Sequence, residues 1–136
     1  MNYNKDEYPG LSQIDEEDEY QRLDPIQLGF EQELKSITVQ HGDSARFEAK
    51  VRLVSTSPYQ MIDRSLLNVE WRFNDIRIRP DHHTRYQLGS NPDENRYWMK
   101  IQRCQQTDEK VYTIYISYDH ERYHDESSAY LFVQGK

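Results

Sequence analysis

Along "SARFEAKVRL", Ser44 to Leu53, apolar Ala45, Phe47, Ala49, Val51 and Leu53 alternate with charged Arg46, Glu48, Lys50 and Arg52. A period of two places the rows on opposite faces of a strand, one dry and one wet. The same alternation recurs from Ile26 onward, in short runs separated by turn residues. "ELKSITVQ" carries Leu34, Ile37 and Val39 and stops at Gly42-Asp43. "LNVEWRFN" sets Leu67, Val69, Trp71 and Phe73 against Asn68, Glu70, Arg72 and Asn74. "TRYQLG" leads into the turn-rich "SNPDEN", and "RYWMKI" aligns Tyr97, Met99 and Ile101. "VYTIYISY" aligns Tyr112, Ile114 and Ile116, and "SAYLFV" aligns Ala129, Leu131 and Val133. No segment of useful length keeps a helical period, so the pattern predicts an all-β sandwich or barrel. Polar outward faces favour antiparallel sheets, because parallel sheets bury both sides.

Residues 1–25 break this pattern. They combine an acidic block with Pro9, Gly10 and Pro25 and are expected to be a flexible tail or linker, leaving 26–136 as the folded domain. Tyr8 and Tyr20 stand beside acidic residues, a context open to phosphorylation. The formal charge of −7 is concentrated here: residues 1–25 hold two basic and eight acidic groups, and 26–136 hold 15 and 16. The folded part is therefore nearly neutral, with no general electrostatic drive toward nucleic acid or anionic membrane. No run approaches the roughly 20 apolar residues of a membrane span, and the acidic start lacks a signal peptide's apolar stretch.

Cys104 is the single cysteine, which rules out an internal disulfide and favours a reducing compartment. No histidine is tied to it by a recognisable motif, so a buried structural thiol is expected rather than a nucleophile. His120 and His124, flanked by Asp119 and Asp125, have a spacing that pairs ligands on a helix, but they fall in the loop before the last strand. His82 and His83 lie in a polar connection and read as surface residues. Neither a nucleophile elbow nor a Gly-rich phosphate loop appears. No enzyme activity, metal or cofactor is expected. Arg72, Arg77, Arg79 and Arg85 form a basic cluster; Arg77 and Arg79 alternate with Ile76 and Ile78 and would share one strand face. That face is either neutralised by Glu70, Asp75 and Asp81 or offered to an acidic partner. The connection "STSPYQMIDRSLL", residues 55–67, is long and too apolar for a plain loop. Either Tyr59, Met61 and Ile62 fold back over the end of the sandwich, or the loop presents them to a partner.

Trp71 on an early strand, "DEKVYTI" from Asp108 to Ile114, the closing "SSAYLFV" and the opening "LKSITVQHGDSARFEAKV" together resemble the immunoglobulin fold, specifically its I-set domains, over roughly residues 28–134. The resemblance makes Trp71 the core tryptophan and Tyr112 the tyrosine of the corner motif. Asp108 becomes the acidic residue of the family's Asp-x-Gly-x-Tyr turn, with Lys110 where glycine is usual. Ala49 and Ile114 fall where the two bridging cysteines would stand. A methyl and a sec-butyl group would then replace a sulfur bridge beneath Trp71, between sheets about 10 Å apart. The missing link would otherwise stabilise by about 4 kcal/mol in the chain-entropy model. Bridge-free I-set domains resemble those of giant intracellular muscle proteins such as titin, twitchin, obscurin and myomesin. What this implies is a non-catalytic module of a sarcomeric or cytoskeletal protein. Its partners would be neighbouring immunoglobulin or fibronectin-like domains or filament proteins. Resistance to pulling would come from hydrogen bonds between "ELKSITV" and "AYLFV". A cell-surface adhesion or receptor domain that has lost its bridge is the alternative.

Overall fold

The computed structural model describes residues 24–79 and 85–135. The expected tail through residue 23, with Tyr8 and Tyr20, and the pair His82-His83 with Asp81 lie outside the described residues. The strands are β1 (Ile26–Gln32), β2 (Ile37–Gln40), β3 (Ala45–Ser55), β4 (Leu67–Phe73), β5 (Ile76–Arg77), β6 (Tyr86–Asn91), β7 (Arg96–Ile101), β8 (Val111–Tyr118) and β9 (Tyr123–Gln134). They form a four-stranded sheet ordered β1-β3-β7-β6 and a five-stranded sheet ordered β2-β9-β8-β4-β5. By packing the chain divides into two units: Gln27–Leu53 with Asp63–Lys136, which holds the sandwich, and a smaller one that includes Val54–Ile62.

In β3 the alternation does what a half-wet strand requires. Ala45, Phe47, Ala49, Val51 and Leu53 are all buried, while Arg46 and Arg52 are exposed on the other face. β8 sits between β9 and β4, so its core row of Tyr112, Ile114 and Ile116 is joined in burial by the outward Thr113 and Ser117. The cluster that unites the sheets includes Phe47, Val51, Met99, Ile101, Leu131 and Val133.

Two expectations about the strands need correction. Only the second half of "ELKSITVQ" is a strand: β2 joins the five-stranded sheet, residues 33–36 carry the crossover, and β1, which precedes the quoted stretch, belongs to the four-stranded sheet. Buried Leu34 marks the crossing, its N–H donating to Ser127 Oγ at 3.0 Å. Nor is all the pairing antiparallel. β2 runs parallel to β9, with Ile37 opposite Leu131 and Gln40 opposite Gln134; parallel neighbours cannot be joined by a hairpin, and here six strands separate them in the chain.

Candidate functional site

Ala49 lies on β3, and Trp71 and Ile114 lie on β4 and β8 of the facing sheet. Ala49 and Ile114 have no exposed surface, Trp71 stands directly opposite Ile114 in the ladder, and all three belong to one buried cluster. In place of a covalent tie the sheets share apolar area, which contributes about 25 cal/mol per Å² removed from water.

A hydrogen-bonded corner surrounds Tyr112. Its hydroxyl donates to the Asp108 carbonyl at 2.7 Å, and its ring lies 5.3 Å from that of Phe47. Burial, followed by the neighbouring Tyr86, pushes the Tyr112 phenol far up from its ordinary value, so it stays a protonated donor. The Asp108 carboxylate accepts the Gln105 N–H at 2.7 Å and pairs with the Arg85 guanidinium. Arg85 also donates to the Gln102 carbonyl at 3.0 Å and the Arg103 carbonyl at 3.1 Å. This removes Arg85 from the basic cluster in which its sequence neighbours place it. Lys110 takes no positive φ, so the usual glycine is not required there, and its ammonium donates to the Thr107 carbonyl.

Cys104 is fully buried in the core cluster, three residues past the end of β7. Backbone bonds fix it there: its N–H donates to Asp43 O and its carbonyl accepts from Gly42 N, both at 2.8 Å. Burial raises the thiol above its usual range, which keeps it a poor nucleophile.

Of the remaining arginines, Arg72 donates to Glu70 Oε2 at 2.7 Å and Arg77 approaches Glu70 Oε1 at 3.9 Å. The strand expected to carry Arg77 and Arg79 ends before Arg79. β5 is only two residues long, Ile76 is exposed while Ile78 is buried, and Arg79 is exposed beyond the strand. Ile78 N–H donates to Trp71 O at 2.8 Å, which extends the Phe73–Ile76 and Arg72–Arg77 register by one pair and sets Ile78 against buried Trp71. His124 is not in a loop either: it lies on β9 and stacks on Tyr115 with ring centroids 6.1 Å apart. Among the described residues no group of three histidine, cysteine or acidic side chains is placed to hold a metal ion.

The segment that follows β3 bonds within itself and to Pro25, whose carbonyl accepts the Thr56 N–H at 3.0 Å. Ser55 Oγ donates to Ser57 O at 3.1 Å, and Ser57 Oγ accepts the Tyr59 N–H at 3.1 Å. Beyond these turns Tyr59 is 94% exposed and Met61 81%, while Ile62 is half-buried.

A model of the immunoglobulin I-set domain matches residues 28–133. The chain belongs to the immunoglobulin I-set family. Similar solved structures include the titin M3 domain, 14% identical with a TM-score of 0.64 over 81% of this chain and 99% of that one. Others are the titin domains Z1Z2 in complex with telethonin, 20% identical with a TM-score of 0.64 over 80% of this chain and 48% of that one, and the titin M10 complex with an obscurin-like 1 immunoglobulin domain, 13% identical with a TM-score of 0.64 over 80% and 95%. No curated protein matches the sequence. At these identities the structures establish the fold. Within the I-set frame, the Arg85 clamp on Asp108 is the element that sequence spacing could not supply, since 23 residues separate the partners. Among the described residues no helix is long and apolar enough to cross a membrane.

Proposed function

We propose that this I-set domain is a non-catalytic structural and protein-interaction module of a larger multidomain protein of the sarcomeric or cytoskeletal kind. Residues 26–136 form the module and residues 1–25 an acidic linker. The observation that carries the reading is the loop after β3, residues 56–62, where Tyr59 and Met61 hold large apolar side chains almost wholly in water. An exposed aromatic and a flexible thioether on a short self-bonded loop are the residue types that anchor protein interfaces. The partners of the solved I-set relatives, telethonin and an obscurin-like 1 immunoglobulin domain, support filament proteins or neighbouring immunoglobulin and fibronectin-like domains as the class to look for.

The test is affinity capture from muscle lysate with the full chain, beside a Tyr59→Ser, Met61→Ser double variant whose circular dichroism matches. Partners identified by mass spectrometry and lost with the double variant are the expected result. Equal recovery by both proteins removes the loop from the reading.

A further inference from the structure

The outward face of the five-stranded sheet contains a second feature, unrelated to the loop. Asn68, Glu70, Arg77, Tyr115, Ser117 and Glu121 surround a pocket of about 260 Å³. Ser117, on the outward row of β8, is only 3% exposed, and among the described residues its hydroxyl has no hydrogen-bond partner. A buried hydroxyl without a partner is costly, and one that lines a pocket points to a ligand that completes it.

The pocket wall includes a left-handed turn. Asp119, His120 and Glu121, joining β8 to β9, all take left-handed backbone with φ of 58°, 55° and 69°. Three successive non-glycine residues in this region are disfavoured, and such strain gathers where a side chain must be aimed. Here it brings the Glu121 carboxylate to the Tyr115 hydroxyl, which donates to Oε1 at 2.8 Å. Tyr115 is itself held beneath the Arg72 guanidinium, 4.5 Å from the ring centroid. Glu121 Oε2 has no bond of its own among the described residues.

We propose that this pocket receives a cationic side chain, an arginine or a lysine, from a protein partner. Glu70 is already answered by Arg72 at 2.7 Å and Arg77 at 3.9 Å, so the carboxylate oxygen left for an incoming cation is Glu121 Oε2, beside the Tyr115-bonded Oε1. Its volume lies below the roughly 300–1,000 Å³ of sites for whole small molecules, which favours one side chain. A guanidinium can engage the free Glu121 oxygen while a further N–H reaches the Ser117 hydroxyl; an ammonium satisfies the same acceptors as a point charge. Arg77 is the resident competitor. It is 56% exposed and only 3.9 Å from Glu70 Oε1, a loose pairing that an incoming cation can displace. The inference deepens the interaction-module reading but uses a different surface, so each stands or fails separately.

The experiment titrates the isotope-labelled full chain with three acetylated, amidated tripeptides, having arginine, lysine or glutamate between two glycines, and follows backbone amides by NMR. Saturable shifts at Asn68, Ser117 and Glu121 are expected with the arginine and lysine peptides and not with the glutamate one. Their relative affinities identify the preferred cation. Glu121→Gln should weaken binding by up to about fivefold, the scale of one exposed ion pair, whereas Arg77→Ala should strengthen it. Amides outside the pocket report that both variants stay folded. Absence of saturable shifts, equal shifts with the glutamate peptide, or affinities unmoved by both substitutions would overturn the proposal. Continued partner capture through Tyr59 and Met61 would then leave the module reading intact.

Discussion

A methyl group at residue 49 has consequences because no sulfur link limits how the sheets fit around it. Ala49 has no exposed surface and shares a cluster with Trp71, Ile114 and Phe47. An interior packed as densely as an organic crystal leaves no room for three more carbons. Ala49→Leu is therefore expected to cost about 1–3 kcal/mol through off-rotamer side chains and shifted backbone, read as a lower urea midpoint at unchanged slope. An unchanged midpoint would mean that the site is not packed as the structure has it. The neighbouring corner differs in kind, since its stability depends on polar satisfaction: the Tyr112 hydroxyl, the Asp108 carbonyl and the Arg85 guanidinium each find a partner. Tyr112 and Asp108 could be located from sequence because they are four residues apart. Arg85 could not, because its neighbours Arg72, Arg77 and Arg79 offered a plausible but incorrect grouping.

Among the elements, the strands legible in the sequence are those whose alternation is sustained over a long run. β3 and β8 emerge where alternation places them, since each runs long enough for its period to be unmistakable. β1 and β2 do not, because the crossover between sheets lies inside a continuous apolar-polar pattern and alternation says nothing about which sheet a strand joins. Nor does it reveal the pairing of Gly89 with Trp98 across β6 and β7. A Cβ built on Gly89 would lie 2.4–2.5 Å from three atoms of the indole, and the Arg46 guanidinium lies over the same ring at 4.6 Å. The glycine is thus needed for close approach, not for an unusual backbone angle. Gly89→Ala should displace the indole, cost about 1–3 kcal/mol and shift the tryptophan fluorescence. In a Trp98→Ala background the clash disappears, and the same substitution should become neutral or stabilise by about 0.5–1 kcal/mol, because alanine loses less chain entropy than glycine. Additive effects in this double-mutant cycle would rule out the proposed contact.

For the molecule as a whole, the parallel pairing of β2 with β9 fixes how the domain meets a force applied through its ends. Ile37–Gln40 lies near the start of the sandwich and Leu131–Gln134 near its finish, so pulling the termini apart slides one strand along the other. Bonds perpendicular to the pull then load together rather than opening one at a time. Flanking bonds extend the clamp: Tyr130 N–H donates to Ser36 Oγ at 3.0 Å and His41 N–H to Gln134 O at 2.6 Å. On an edge strand, adjacent residues turn their backbone groups to opposite sides, so of Thr38 and Val39 only one directs its N–H toward β9. Proline placed at each position in turn separates loss of a ladder bond from other effects of the ring. Single-molecule pulling between the chain ends should show a lower unfolding force for one of the two variants, with the other closer to the parent. If neither variant lowers the force, mechanical resistance does not come from the β2–β9 pairing, and the expectation drawn from "ELKSITV" and "AYLFV" fails while the Tyr59 and Met61 loop can still serve as a docking surface.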